Sequence, residues 1–536
     1  MLTLQDITYQ HPNRDLLFSG LNFSLNPQDK IALIGNNGVG KSTLLKILAG
    51  RLLPTSGVIK ASFRPYYVPQ LLDEYNELSI AEALQLGDKL QALQEILDGH
   101  ATEENLNLLD NDWDFEARCE QAFAHWNLLD LNLAQKMNTL SGGQKTKVFL
   151  AGIRIHRPEL VLMDEPSNHL DRAGRLLLYE DIRQSKQSLV VVSHDRELLN
   201  LLNTVLSLSQ DGITVYGGNY EFYAEQRALE KAAFEQTLRN KEKAVRKAKE
   251  VERSAMERQQ KLDARGKQKQ EKAGLPTIMM NTLKNNAEKS TSRLKGVHAD
   301  KLDAISQELS LLRKAQSALD RMKMNLEGSA VHTGKVLVNA KELNYSYGTE
   351  SQSQLLWKEA LNFQIRAGDR LAIKGPNGSG KTSLIKLILG DLIPSSGSLE
   401  RAVFQSIYVD QDYALIDTKL SVYEQAQQFN SGALQEHEIK LRLNRFLFTK
   451  ADWDKPCAAL SGGEKMRLIL CALTIGNQSP DLIVLDEPTN NLDMQNIEML
   501  STAINEYKGT LLVISHDHYF LEQIGVTEDL ELVITN

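Results

Sequence analysis

Cysteine is scarce in this sequence. Its 536 residues hold three, Cys119, Cys457 and Cys471, widely separated and without CxxC spacing. That leaves neither a zinc site nor a disulfide framework to expect. Also missing is any run of about 18 apolar residues, the length a membrane-spanning helix needs, so no membrane partner is expected. The first residues, MLTLQDITYQHPNRDLL, lack a basic region followed by an apolar stretch and predict no secretory signal. Together these absences point to the cytoplasm. What is present is globular: 42% apolar and 24% charged residues. The length exceeds what one hydrophobic core spans and predicts two or three domains. A net charge of −8 conceals a division, because residues 229–327 carry 23 Lys/Arg against 14 Asp/Glu, or +9, and the rest carries −17. A basic segment on an acidic body suggests a polyanionic partner for that segment.

The chain repeats itself. GNNGVGKST at Gly35–Thr43 returns as GPNGSGKTS at Gly375–Ser383, and LSGGQ at Leu140–Gln144 returns as LSGGE at Leu460–Glu464. LVLMDEPSNHLD, ending at Asp171, returns as LIVLDEPTNNLD, ending at Asp493; VVVSHD, ending at Asp195, returns as LVISHD, ending at Asp517. Matched motifs in one order, twice, mark a tandem duplication. Lys30–Ile34 reads as a buried strand, followed by the glycine loop and a helix from Ser42 to Ala49. Arg370–Ile373 and Thr382–Leu389 flank the second loop in the same way. Strand, glycine loop and helix form the context of a phosphate-binding loop. Each half is expected to be an α/β domain with a helical subdomain inserted before LSGG.

The residue types suit ATP hydrolysis. Gly35, Gly38 and Gly40 let the backbone turn and aim its N–H groups inward. With Asn36, Asn37, Val39 and Thr43 they form a nest for phosphate oxygens at a helix N-terminus. Lys41 would reach the β- and γ-phosphates and Ser42 would ligate Mg²⁺. Gly375, Pro376, Asn377, Gly378, Ser379, Gly380, Lys381, Thr382 and Ser383 repeat this set. A single copy could be a glycine-rich turn before a helix; two copies with companion motifs argue for the loop. Asp164 and Asp486 end apolar strands, where a carboxylate can hold Mg²⁺ or its water. Glu165 and Glu487 follow and can act as general bases; the flanking Pro-Ser/Thr-Asn argues against a plain acidic turn. His194 and His516 read as γ-phosphate sensors rather than loop caps. Gln70 and Gln411, in VPQ and VDQ, would couple Mg²⁺ and water to the helical subdomain. The expected activity is a Mg²⁺-dependent ATPase.

The order of phosphate loop, Gln, LSGG, DEP and SHD resembles the ATP-binding-cassette superfamily over about four-fifths of the chain. The resemblance implies that each LSGG presents its serine and backbone N–H groups to ATP bound by the opposite domain. Ser141, Gly142 and Gly143 would complete the site of Lys381, and Ser461, Gly462 and Gly463 that of Lys41. ATP would then hold the halves together and hydrolysis would loosen them. This sequence departs from the family pattern in several places. His11 stands where an aromatic ring often stacks on adenine, with Tyr9 two residues earlier, while Tyr347 fits that role in the second half. Lys147 replaces the usual arginine after LSGG, which Arg467 keeps, and Asn491 replaces the histidine seen as His169. The two sites are therefore expected to be inequivalent.

The segment between the halves, 229–330, reads as a basic antiparallel helical hairpin. Phe234, Leu238, Val245, Ala248, Ala255 and Leu262 fall at heptad-compatible spacings, as do Leu302, Ile305, Leu309, Leu312, Leu319 and Leu326. Two helices of about 44 residues each, shortened or bent at Gly266 and Gly296, would flank a tip near 273–283 with Ile278, Met279 and Met280. Lys267, Lys269, Lys272, Lys284, Lys289, Arg293 and Lys295 surround that tip, suited to phosphate contacts without sequence readout. A solvated linker is the bland alternative.

Two cassettes, 1–228 and 331–536, with such a hairpin between them resemble the ABC-F family. The resemblance implies a monomer that binds the ribosome, through rRNA and tRNA, near the tRNA exit site. Gln70 to Ser141 spans 71 residues against 50 from Gln411 to Ser461. The surplus, within 71–112, matches the family's arm. The chain ends 20 residues after His516, so no C-terminal coiled coil is expected. Relief of stalled ribosomes and protection against antibiotics compete as roles. A transporter's energy module and a DNA-repair or chromosome ATPase are the readings from other classes.

Overall fold

Apolar runs too short for helices form the centre of each half. A computed structural model describes residues 2–12, 16–70, 72–110, 112–209, 212–272, 303, 305–310, 313, 334–347, 355–376, 378–476, 479–490 and 492–533. Asn377, Asn491 and the expected tip at 273–283 lie outside the described residues. In the first half, β1 (Leu2–Gln10), β2 (Leu16–Leu25) and β4 (Ser56–Ala61) pair antiparallel in the order β2-β1-β4. A larger sheet uses β3 (Lys30–Ile34), β5 (Tyr66–Val68), β6 (Leu160–Asp164), β7 (Ser188–Val192), β8 (Thr204–Ser209) and β9 (Gly212–Gly217). Its order is β5-β6-β7-β3-β8-β9, and only β8–β9 is antiparallel. Every residue of β6 and β7 is buried. A parallel sheet covered on both faces needs such unbroken apolar strands rather than alternation.

The second half repeats the plan. β10 (Val336–Asn344), β11 (Leu361–Arg366) and β13 (Ser396–Arg401) form the antiparallel sheet. β12 (Arg370–Lys374), β14 (Ser406–Val409), β15 (Leu482–Asp486), β16 (Thr510–Ile514) and β17 (Glu528–Glu531) form a parallel one in the order β14-β15-β16-β12-β17. Helix α1 (Lys41–Leu48) packs Leu44, Leu45 and Ile47 between the sheets against Leu4, Phe18 and Val190. Register positions the chemistry. Asp164 pairs with Val192 and Asp486 with Ile514, so the residues after both strands emerge together at the carboxyl edge, beside the loop after the central strand. Open α/β sheets bind ligands at that edge.

The helical subdomains differ in one insertion. In the first half, α2 (Ile80–Ala83), α3 (Gly87–Leu97), α4 (Glu103–Leu109), α5 (Phe115–His125) and α6 (Gly142–His156) precede α7 (Arg172–Gln184) and α8 (Arg196–Leu199). Ser79 caps α2 through a reciprocal pair with Glu82, and Ser421 does the same with Glu424 in the second half. There the chain passes directly to a helix at Glu436–Arg445 and then Gly462–Ile475. The α3–α4 pair therefore has no described counterpart. Asn105 ties it together, its Nδ2 donating to Glu95 Oε2 at 2.8 Å and to the His100 carbonyl at 3.1 Å.

Residues 222–322 form a separate unit. Helix α9 (Tyr220–Lys272) runs 53 residues, roughly 80 Å at 1.5 Å per residue. It begins earlier than the expected boundary because the Asn200 side chain accepts from the Glu221 N–H at 2.9 Å, a cap invisible in the local sequence. Its backbone continues through Gly266, where a bend was expected. One glycine costs about 1 kcal/mol against alanine, which a long run of Lys, Glu, Gln and Ala tolerates. Phe234, Leu238, Val245, Ala248 and Ala255 are half-buried, whereas Leu262 is exposed. Residues 305–310 are helical with Leu309 buried, and ion pairs Lys241–Glu308 and Arg313–Glu242 join that segment to α9.

Candidate ATP site between the two halves

The phosphate loops are shaped by glycines that no other residue could replace cheaply. Gly40 has φ 101° and Gly380 φ 84°. A Cβ on Gly40 would lie 2.5 Å from Leu17 Cδ2, and one on Gly380 would lie 2.3 Å from Leu356 Cδ2. The helix that follows, α1 or α10 (Lys381–Leu389), has no side-chain cap and no acidic residue in its first turn. Its free N–H groups and dipole therefore favour an anion. Lys41 Nζ donates to the carbonyls of Gly35 (2.7 Å) and Asn36 (3.2 Å), and Lys381 Nζ to those of Gly375 (2.9 Å) and Pro376 (3.0 Å). Burial lowers the pKa of both lysines.

The acidic residues sit in matched frames. Tyr67 donates to Asp164 Oδ2 at 3.3 Å, and Tyr408 to Asp486 Oδ2 at 3.0 Å. The hydroxyls of Ser42 and Thr382 lie beside the same carboxylates. Burial raises both aspartates above the usual carboxylate range. Glu165 and Glu487 adopt φ 52° and 47°, strain that a non-glycine residue accepts only when its surroundings enforce it. Their backbone N–H groups donate to Val192 and Ile514, each at 2.8 Å. Each glutamate meets the histidine of the neighbouring strand end: Glu165 Oε1 is 3.2 Å from His194 Nε2, and Glu487 Oε1 is 3.3 Å from His516 Nε2. Burial pushes Glu165 up, and Glu487 up to about 7. It drives His194 down to about 3 and His516 to about 4, so both imidazoles are neutral.

The halves share the first site. A cavity of about 380 Å³ is lined by Lys41, Ser42, Gln70, Asp164, Glu165 and His194 of the first half and by Ser461 and Gly462 of the second. Asn37 N–H donates across to Asp493 Oδ2 at 2.9 Å. Asp493 also caps α14 (Met494–Glu506). His11 and Leu17 line the same cavity. Toward the second loop the first half presents Asp171, whose charge acts on Lys381, and Arg175, whose charge acts on Glu487 and His516. Ser141 is exposed and caps α6 reciprocally with Gln144. Gln411 is exposed on a turn, and Tyr347 is 67% exposed with its hydroxyl on Ser383 Oγ. Arg467 lies over the Phe448 ring at 5.5 Å.

The donor set suits a hard divalent cation. Ser42, Asp164 and Gln70 offer oxygen ligands around one cavity, and buried Asp164 Oδ1 has no hydrogen-bond partner. Four participants were not singled out from sequence: Tyr67, Tyr408, Asp493 and Arg175. The tyrosines carried a signal, since each stands three residues before Gln70 or Gln411 in the repeated YVPQ and YVDQ.

The family model described as ABC transporter matches residues 18–168 and 359–490. ABC transporter F family member 5 of Arabidopsis thaliana is 30% identical over 92% of this chain and 70% of its own length. The ribosome protection protein VmlR of Bacillus subtilis is 28% identical over 100% of this chain and 87% of its own. A crystal structure of archaeal ribosome recycling factor aABCE1 with ribosomal stalk protein aP1 aligns at TM-score 0.59 and 20% identity, covering 97% of this chain and 86% of that one, a likeness of fold. With two matched nucleotide-binding halves, a helical unit between them and these relatives, the chain belongs to the ABC-F family of tandem ATP-binding-cassette proteins.

Proposed function

We propose that this protein is a cytoplasmic, monomeric, Mg²⁺-dependent ATPase that binds the ribosome near the tRNA exit site when it holds ATP and leaves on hydrolysis. It thereby regulates translation or rescues stalled ribosomes. The carrying observation is the cavity in which the Lys41 loop and the Ser461 signature come from opposite halves. A nucleotide there touches both cassettes, so its presence favours the closed arrangement by its differential contacts.

The loop N–H groups and Lys41 or Lys381 would bind the phosphates. Mg²⁺, held by Ser42 with Asp164 and by Thr382 with Asp486, each with its glutamine, would neutralise charge on the phosphate oxygens. Glu165 or Glu487 would take a proton from the attacking water as its oxygen bonds to the γ-phosphorus and the bond to the ADP oxygen breaks. His194 and His516, held neutral by burial, would donate a hydrogen bond to the γ-phosphate. Ser141 and Ser461 with the following glycines would close each site in trans. The basic middle unit, residues 229–330, would face rRNA and tRNA. The α3–α4 pair would be the arm. VmlR, named a ribosome protection protein, aligns along the whole chain and supports antibiotic protection as a second reading. Drug susceptibility of cells with and without this protein separates the two.

The test is co-sedimentation of Glu165→Gln/Glu487→Gln protein with ribosomes, with ATP and with ADP. Co-migration with ATP alone is expected. Absence of co-migration in a protein shown to bind ATP would sink the ribosome reading.

A further inference from the structure

The two cassettes face each other through turns that are capped alike but differ in the residues that follow the cap. Asp171 caps α7 by accepting from the Gly174 N–H at 2.9 Å, and Asp493 caps α14 by accepting from the Asn496 N–H at 2.8 Å. Four residues beyond each cap stand Arg175 and Ile497. Both line a cavity of about 40 Å³ between the halves, together with His194, Asp195, His516 and Asp517. This cavity lies behind the histidines of both ATP sites. The Arg175 side chain is 13% exposed and fixed: Nε donates to the Leu170 carbonyl at 3.3 Å, and Nη1 lies 3.9 Å from Asp195 Oδ2.

Three carboxylates, Asp195, Glu197 and Asp517, line this space, and Asp195 and Asp517 each cap the helix after the neighbouring histidine. Like charges gathered in a partly dry space repel unless a cation lies among them. Asp195 has a further partner, the Tyr179 hydroxyl, which donates to Oδ2 at 2.6 Å. The residue matching Tyr179 is Ser501, whose hydroxyl instead donates to the Ile497 carbonyl at 2.9 Å. Asp517 therefore leans on cations of the opposite cassette, Arg196 and Arg175, and of these two Arg175 is the one whose charge also acts on Glu487 and His516.

We propose that Arg175 is a trans-acting positioning residue that reaches from the first cassette to hold the His516–Asp517 turn for turnover at the Lys381/Glu487 site, while the Lys41/Glu165 site meets apolar Ile497 at the matching place. The two ATP sites are thus unequal, and the second depends on a side chain of the first cassette. This rests on Glu165 and Glu487 being the bases. Single-glutamine backgrounds isolate each site: Glu165→Gln reports the second, Glu487→Gln the first. In the Glu165→Gln background, Arg175→Met should lower kcat about 10-fold, the scale of a modest misplacement, and leave KM for ATP within about 2-fold. Arg175→Lys should recover most of that loss. In the Glu487→Gln background Arg175→Met should change kcat by less than about 2-fold. Circular dichroism and thermal unfolding of Arg175→Lys and Arg175→Met check the fold. Equal losses in both backgrounds, a loss confined to KM, or no loss at all would overturn the inference alone. Sustained turnover by the Glu165→Gln/Glu487→Gln protein would overturn the base assignment, and this inference with it.

Discussion

Glu165 and Glu487, the proposed bases, sit where burial discourages their charge. Loss of either carboxylate should therefore cost turnover without costing affinity. Glu165→Gln and Glu487→Gln together should reduce ATP hydrolysis by roughly 10²–10⁴-fold, the range of a general base, while ATP binding measured by equilibrium dialysis stays intact. The pH dependence follows from sign. Burial favours the protonated carboxyl and raises Glu487 to about 7, and only the ionised form accepts a proton. In the Glu165→Gln background, kcat/KM should fall as pH drops below about 7, rather than near the ordinary value of about 4.3. His516, lowered to about 4 by burial, should add no second limb near pH 6.5. A profile flat from pH 5.5 to 8.5 would remove Glu487 from the role of base. Sequence reasoning found these four residues by motif. It did not find their mutual contacts, because two strand ends fall side by side only after the parallel sheet forms.

At the scale of elements, the phosphate loop and its helix act as one piece. Gly40→Ala adds a Cβ 2.5 Å from Leu17 Cδ2 at a residue with φ 101°. It should weaken ATP binding at the first site by at least about 10-fold, about 1.4 kcal/mol, readable by titration with a fluorescent nucleotide. Gly87→Ala, with open space around it, is the control. The α3–α4 pair makes the opposite case, as it holds itself together through Asn105. Replacing residues 87–109 by a short glycine-serine link should leave ATPase activity within about 2-fold; any ribosome contact made by the arm would be lost. That insertion was legible as a difference in motif spacing. Its form as two helices was not singled out, although Leu90, Leu93, Ile96 and Leu97 fall at helical spacing. The start of α9 was misplaced because its cap comes from Asn200, twenty residues upstream in sequence.

At the scale of the molecule, an acidic body joined to a basic middle unit predicts salt-sensitive association with a polyanion. Reversing charge at Lys267, Lys269 and Lys272 should weaken ribosome binding. It should also reduce the slope of log K against log salt by roughly 0.7–0.9 for each phosphate contact removed. Unchanged slope would make the middle unit a spacer. Asp493→Ala should separate cross-cassette contact from local binding. It removes both the helix cap, worth about 1 kcal/mol, and the bond to Asn37 N–H, so ATP-dependent closure should suffer more than ATP affinity of the isolated loop.

By itself the sequence determined the duplication, the two α/β halves and the phosphate loops, and it named the candidate bases and Mg²⁺ donors. Those depend on short-range spacing, and the chemistry proposed for them tolerates few other residue types. Only the tertiary structure decided which residues meet across the halves. Asn37 reaches Asp493 from 456 positions away. Ser461 lines the cavity of Lys41, as the family resemblance implied and spacing could not show. Arg175 and Ile497 occupy matched positions on opposite sides of one interface. A motif repeats because each half must bind the same phosphates. The partner across the interface depends on how two domains of one plan face each other, and there arginine on one side meets isoleucine on the other.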